Sequence, residues 1–267
     1  MTSIPSITDT YKQITVLTGA GISAESGIPT FRGADGYWTV GSSEYHPQEM
    51  ATYKMFSQHP DEVWKWYLYR LSLCRNAEPN AGHMALVDIE QQLDDRFILI
   101  TQNVDNLHLR AGSSIEKTYQ IHGNVFYMRC INECQKALYP LPRKILSRNR
   151  NQDLTHNDKI LLSCPDCGER TRPHVLWFDE CYDEHYYKFN SAMATAEKTD
   201  LLIIAGTSGT TTLPNHITTI VYQHGGTIID INIEQNPFSN MAKNSPNGAF
   251  LKMTCSEGLA KIAASVR

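Results

Sequence analysis

Apolar residues in this chain come in two kinds of run. Ile14–Leu17, Phe97–Thr101, Leu201–Ala205 and Thr227–Ile233 are nearly continuous, rich in β-branched side chains and without polar alternation. Runs of that length and texture predict strands covered on both faces. Elsewhere apolar positions recur every three or four residues. Pro60, with Asp61 and Glu62 behind it, opens one such stretch, and Val63, Trp66, Tyr67 and Arg70 share a face of it. Asn80 to Leu93 predicts a second helix, carrying His83, and Pro214 to His224 a third, ended by Gly225-Gly226. Tyr119 to Phe126 reads as a turn leading into a further strand. Strand and helix in alternation predict an α/β fold with a doubly wound, parallel, Rossmann-like sheet. Residues 34–80 depart from the alternation as a helical insert, and 128–172 as a cysteine-bearing insert without a clear period. No internal repeat is visible, and 1–267 reads as a single domain.

Composition acts mainly by exclusion. With 24 Lys and Arg against 28 Asp and Glu, the net charge is -4, which argues against a nucleic-acid binder driven by general positive charge. No apolar run reaches the ~18 residues of a membrane span. Residues 1–13 lack the basic-then-apolar pattern of a signal peptide. The expectation is a soluble cytoplasmic protein without nucleic-acid or membrane partners, its oligomeric state open.

The 7 cysteines include two close pairs, Cys130-x-x-x-Cys134 and Cys164-x-x-Cys167, separated by 29 residues. In a reducing compartment such pairs favour metal over disulfide. Four thiolates make a closed tetrahedral zinc site with no position open for water, so one structural zinc would staple an insert that lacks its own core. Cys74, Cys181 and Cys255 have no partner in sequence and read as buried small hydrophobes.

Directly after the first predicted strand comes Gly19-x-Gly21-x-x-Ala24, a dinucleotide-binding pattern with alanine in the third place. The first glycine permits a tight turn, the second a close approach of backbone to a pyrophosphate, and the small third residue packing of helix on sheet. Ser23 to Ser26 would open a helix whose free N–H groups face the phosphates. A purely structural turn accounts for the glycines alone equally well. The longer stretch Gly19-Ala20-Gly21-Ile22-Ser23-Ala24-Glu25-Ser26-Gly27-Ile28-Pro29-Thr30-Phe31-Arg32-Gly33 resembles the opening motif of the sirtuins, the NAD-dependent protein deacylases. The resemblance runs from about Ile14 to the C-terminus.

The resemblance implies roles. NAD, as co-substrate, would contact Gly19, Ala20, Gly21, Ser23 and Ala24, with Phe31, Arg32 and Trp38 on the loop that closes over it. Gly206, Thr207 and Ser208 resemble the family's phosphate and ribose loop, Asn232 and Glu234 its adenosine-ribose motif, and Cys255 the segment beside adenine. Gln102-Asn103-Val104-Asp105 and Ile121-His122-Gly123 match the two polar motifs of the catalytic core. There Gln102 contacts ribose, Asn103 and Asp105 hold the nicotinamide amide, and Asn103 and His122 are catalytic. In the implied reaction an acyl-lysine carbonyl oxygen attacks the nicotinamide ribose and expels nicotinamide. His122 then acts as general base for a ribose hydroxyl, a task suited to an imidazole, and free lysine and O-acyl-ADP-ribose result. Cys130, Cys134, Cys164 and Cys167 match the ligands of the family's zinc ribbon. On the substrate side stand Val175, Trp177 and Phe178. The family's Phe-Gly-Glu is Phe178-Asp179-Glu180 here, which removes a glycine where a substrate peptide pairs as a strand, and Gly209-Thr210-Thr211-Thr212 is more polar than the usual loop.

Taken without a family, Trp66 and Tyr67 are core aromatics and Arg70 a solvated tip. Tyr67-x-x-Arg70, however, matches the tyrosine and arginine that face the acyl pocket of class III sirtuins, and Ala51 the small residue that widens it. A guanidinium binds a carboxylate through two parallel hydrogen bonds, to which a phenol adds a third. The implied activity is removal of succinyl or malonyl groups alongside acetyl from protein lysines. An ADP-ribosyltransferase or NAD hydrolase would use the same pocket. A zinc-stapled NAD sensor would need neither His122 nor the Tyr67/Arg70 pair.

Overall fold

The computed structural model describes residues 7, 10–30, 47–150 and 152–266. Its strands are β1 (Ile14–Thr18), β2 (Phe97–Thr101), β3 (Thr118–Gln120), β4 (Gly123–Cys130), β5 (Tyr139–Pro140), β6 (Thr171–Val175), β7 (Leu201–Ala205), β8 (Thr227–Asn232) and β9 (Ala249–Lys252). Six of them form one sheet in the order β3-β2-β1-β7-β8-β9, every neighbouring pair parallel. The expected doubly wound sheet is therefore present. The four runs that predicted strands are its four central members, buried on both faces; the short edge strands β3 and β9 lack such a run.

Alternate side chains serve opposite faces. Val16, Leu99, Ile203 and Ile229 join a core closed by helices Ala81–Leu93 and Cys255–Ala263. Leu17, Ile100, Ile204 and Ile228 join another, under helices Phe189–Lys198 and Thr212–Gln223. Asn80 fixes the start of Ala81–Leu93 by accepting from Gly82 N at 2.9 Å, while His83 Nδ1 accepts from Asn80 N at 3.3 Å. That reciprocal arrangement satisfies two orphan donors of the first turn.

β4, β5 and β6 make a second, antiparallel sheet in the order β5-β4-β6. It packs on helix Pro60–Asn76, which begins at the predicted proline. Trp64, Tyr67 and Leu71 from the helix share one core with Met128, Val175 and Trp177. Trp64 Nε1 also donates to Thr171 O at 2.9 Å. Each such side chain contributes roughly 1.5–3 kcal/mol when fully buried, so apolar burial binds the helical stretch to the cysteine-bearing one.

Four expectations change. The helix after the glycines is the single turn Gly21–Ala24, ended by Gly27 at φ 79, where Gly27 N bonds Ala24 O and Ile28 N bonds Ser23 O. Those two bonds are a Schellman stop. Ala24 is consequently exposed, and Ile22 packs on the sheet in its place. Arg70 is no solvated tip: it is 5% exposed. Cys181 is exposed rather than buried. The stretch without a period also holds helix His156–Leu161, capped by Thr155 and Asp158 on each other's backbone N–H. Among the described residues no helix is long and apolar enough to cross a membrane.

Candidate active site

Because the six strands run the same way, their carboxyl ends share one edge of the sheet. β1 delivers Gly19 to Ser23 there, β2 delivers Gln102 to Asp105, and β3 is followed by His122. From β7 come Gly206 to Ser208, from β8 Asn232 and Glu234, and after β9 Cys255. The winding reverses between β1 and β7, the place where an open α/β sheet leaves a crevice for ligands. Phe31, Arg32 and Trp38 lie outside the described residues.

At the reversal two loops meet backbone to backbone. Gly21 N donates to Gly206 O at 2.8 Å, and Gly19 N to Ala205 O at 3.0 Å. A Cβ on Gly21 would stand 2.6 Å from Gly206 Cα, and one on Gly19 2.7 Å from Thr207 Cβ. Gly206 itself has φ 66. The fingerprint glycines are thus required by this chain's own second loop, a contact that the pattern alone does not reveal. Asn232 Nδ2 donates to Thr207 O at 2.9 Å, which ties in β8. Glu234 and Ser208 are exposed, and Cys255 is buried in the sheet core.

Beneath this turn lies a buried polar cluster. Asn103 Nδ2 donates to Gly19 O and to Ser23 Oγ, both at 3.1 Å. Ser23 Oγ in turn donates to Asp105 Oδ2 at 2.7 Å, and Leu107 N to Asp105 Oδ1 at 2.9 Å. Burial raises the Asp105 carboxyl, opposed by those two donors and by the charges of Arg70 and Arg110. Asn103 Oδ1 accepts no hydrogen bond among the described residues, although the residue itself is buried. Gln102 is held at both ends: Nε2 donates to Thr207 Oγ1 at 2.9 Å, and Oε1 accepts from Thr211 Oγ1 at 2.7 Å. The polar loop after β7 therefore orients Gln102.

The His122 imidazole is fixed through both nitrogens. Nδ1 lies 3.1 Å from Gln102 O, and Nε2 lies 2.8 Å from the Tyr182 hydroxyl. Burial lowers its pKa to about 4, against the Gln102 carbonyl, which raises it. The ring is neutral at physiological pH.

The residues expected on the acyl side come from helix Pro60–Asn76 and the turn after β6. Trp177 Nε1 donates to the Tyr67 hydroxyl at 3.0 Å. That hydroxyl keeps its own proton to donate, since burial pushes its pKa up to about 12, opposed by Arg70. The Arg70 guanidinium lies 4.8 Å from the Trp66 ring centroid and 5.6 Å from that of Tyr67. Trp177 is itself clamped: Arg172 lies 3.5 Å over its ring, and Glu180 accepts from Trp177 N at 3.0 Å and from both terminal nitrogens of Arg172. Asp179, in place of a glycine, accepts from Tyr53 N at 2.7 Å and Lys54 N at 3.0 Å, and Phe178 N donates to Ala51 O at 3.0 Å. Its carboxylate thus helps cap helix Tyr53–Gln58. Val175 ends β6, buried, and Phe178 is exposed.

Sequence reasoning missed Tyr182, Thr211 and the Arg172–Glu180 clamp, each meeting its partner only through the fold. The four paired cysteines do converge. Their sulfurs lie within 4.8 Å of one another, with Cys130–Cys167 at 3.6 Å and Cys134–Cys164 at 3.5 Å. A tetrahedron of thiolates about 2.3 Å from zinc has edges of about 3.8 Å, so this set fits one structural zinc ion.

Known proteins share this arrangement. The Sir2 family model matches residues 19–212. An NAD-dependent protein deacylase of Leptospira interrogans serogroup Icterohaemorrhagiae serovar Lai (strain 56601) is 40% identical over 232 residues, 87% of this chain and 86% of the relative. One from Pyrococcus abyssi (strain GE5 / Orsay) is 37% identical over 256 residues, 96% of this chain and 94% of the relative. Among solved structures, a mutant Sir2 homologue in complex with ADP-ribose superposes with TM-score 0.79 at 34% identity, covering 96% of this chain and 92% of that one. A Sir2 homologue in complex with NAD gives TM-score 0.77 at 34% identity, covering 95% and 89%. With the family model over most of the chain and relatives this similar along nearly all of it, the chain belongs to one family: the Sir2 family, the sirtuins.

Proposed function

We propose that this protein is an NAD-dependent protein-lysine deacylase that prefers acidic acyl groups, succinyl or malonyl, while still removing acetyl. Its relatives are named NAD-dependent protein deacylases, without an acyl preference, and structural neighbours hold NAD and ADP-ribose. Bound NAD supplies an electrophilic ribose carbon, whose bond to nicotinamide breaks, and the hydroxyl that takes up the acyl group. The loops at Gly19–Ser23 and Gly206–Ser208 hold its phosphates, Asn232 and Glu234 its adenosine ribose. Asn103 Oδ1 and Asp105 hold the nicotinamide amide. His122 removes a proton from the ribose hydroxyl at Nε2, the nitrogen left unprotonated when Nδ1 donates to Gln102 O. The cysteine tetrad, closed with four thiolates, holds zinc for structure and leaves no position for water.

One observation carries the acyl preference. A buried guanidinium lies over two aromatic rings beside a buried phenol that still has a proton to donate. Acetyl-lysine has nothing for that pair to bind, whereas a terminal carboxylate has two oxygens.

Matched acetyl, succinyl and unmodified peptides, incubated with NAD and followed by mass spectrometry, test this. Free lysine peptide, nicotinamide and O-acyl-ADP-ribose should form, fastest from the succinyl peptide. ADP-ribosylated peptide, or ADP-ribose formed without deacylation, would establish the transferase or hydrolase reading instead.

A further inference from the structure

The bond at Nε2 of His122 has no part in the reaction above. Tyr182 lies 60 positions away in sequence, on the stretch between the Trp177 turn and helix Glu184–Tyr187. Its ring stacks on Phe189 with centroids 6.1 Å apart at 26°, and its hydroxyl reaches Nε2 at 2.8 Å. The direction of that bond follows from the other nitrogen. A carbonyl only accepts, so Nδ1 carries the ring proton toward Gln102 O. The neutral imidazole then has its one lone pair on Nε2, and the Tyr182 hydroxyl is the donor. Burial keeps both groups in these forms, with the phenol raised to about 12 and the imidazole lowered to about 4. Among the described residues no charged side chain shifts His122; burial and the Gln102 carbonyl are what act on it.

We propose that Tyr182 is a positioning residue that masks the base, occupying the His122 lone pair until the ribose hydroxyl of NAD displaces it. This rests on His122 being the general base. At the exchange one O–H donor replaces another at Nε2. Proton transfer then breaks the ribose O–H bond and forms Nε2–H, giving an imidazolium whose Nδ1–H still donates to Gln102 O. The phenol keeps its proton throughout. Masking holds the ring in the Nδ1–H tautomer, ready for catalysis, and lowers apparent affinity for NAD because one bond must be given up.

Tyr182→Phe tests this, alongside His122→Ala, by initial rates at saturating acyl peptide with NAD varied from pH 5 to 9. Removing a neutral hydrogen bond should raise kcat/KM for NAD about threefold to tenfold. The hydroxyl donates to the unprotonated ring and so favours the neutral form; without it the acid limb of kcat/KM should move to higher pH. Imidazole nitrogen NMR without NAD should show the His122 Nε2 signal move in Tyr182→Phe while Nδ1 stays protonated. If kcat falls more than tenfold and the acid limb stays put, the hydroxyl belongs to the proton path or the scaffold, and the mask is refuted. Unchanged rates and unchanged nitrogen signals refute it too. Should His122→Ala keep its deacylase activity, it is the general-base reading that falls, whatever Tyr182→Phe does.

Discussion

The two halves of the proposed site, one for the nucleotide and one for the acyl group, are held together differently. On the nucleotide side, backbone meets backbone: Gly21 against Gly206, Gly19 against Thr207, with Asn103 and Ser23 bonded beneath. On the acyl side, side chains from separate stretches meet: Trp177 with Tyr67, Arg172 with Glu180, Asp179 with the start of helix Tyr53–Gln58. Close-packed backbone cannot yield by small steps, whereas a side-chain assembly can lose one member and keep the rest. The nucleotide half should therefore respond to substitution nearly all-or-none, and the acyl half in graded shifts of specificity.

The largest test concerns what the acyl half stands on. Purified protein should carry about one zinc per chain, and replacing both Cys164 and Cys167 by serine should abolish it. Binding of structural zinc is worth roughly 10–16 kcal/mol in small modules. The core that holds Tyr67 also holds Met128 and Val175, so folded protein should be lost. Metal analysis with circular dichroism checks this; a stable, zinc-free double variant would leave the metal dispensable.

Next comes Gly206→Ala. The new Cβ would stand 2.5 Å from Ile22 N, at a residue with φ 66. Left-handed strain and overpacking together cost about 3 kcal/mol. Thermal unfolding and calorimetric titration with NAD should show both stability and binding collapse. A folded variant with NAD affinity within threefold of the parent would contradict an all-or-none nucleotide half.

Arg70→Met should act on selectivity. A hydrogen bond to a charged group is worth roughly 1.5–3 kcal/mol, so desuccinylation relative to deacetylation should fall on the order of ten- to a hundredfold. Tyr67→Phe should move the ratio the same way but less, and Arg70→Lys should restore it only in part, since a point charge lacks the two-pronged contact. Equal loss of both activities would make Arg70 structural.

The smallest expected effect is that of Asp179→Ala. Loss of an N-terminal cap costs about 1 kcal/mol, which for a chain of this size lowers Tm by roughly 2–4 °C. Because Asp179 ties the Trp177 turn to the stretch carrying Ala51, acyl selectivity should move slightly while NAD affinity holds. A change in NAD affinity larger than the change in selectivity would blur the division between the halves.

The same division governs what the sequence discloses. Continuous runs such as Leu201–Ala205 announce central strands, because a strand buried on both faces has no polar alternation to hide it. The close pairs of cysteines announce their cluster, because ligand spacing is local. Even helix His156–Leu161 was legible in principle from Thr155-x-x-Asp158, a capping signature. The pairings that hold the acyl half were not, since Trp177 finds Tyr67 across 110 positions and His122 finds Tyr182 across 60. No periodicity encodes such distances. Ala24 misled for a related reason: the fingerprint presumes a full helix, and Gly27 ends this one after a turn.

The Trp177–Tyr67 contact has an optical consequence. An indole whose N–H donates to a phenol, with a guanidinium against its face, emits according to the state of those neighbours. A ligand carboxylate that accepts a hydrogen bond from the Tyr67 hydroxyl would polarise the phenol as an acceptor or draw it away, and either change would reach the fluorophore through a single bond. Trp177 is thus a built-in dye, wired to the phenol proposed to tell one acyl chain from another.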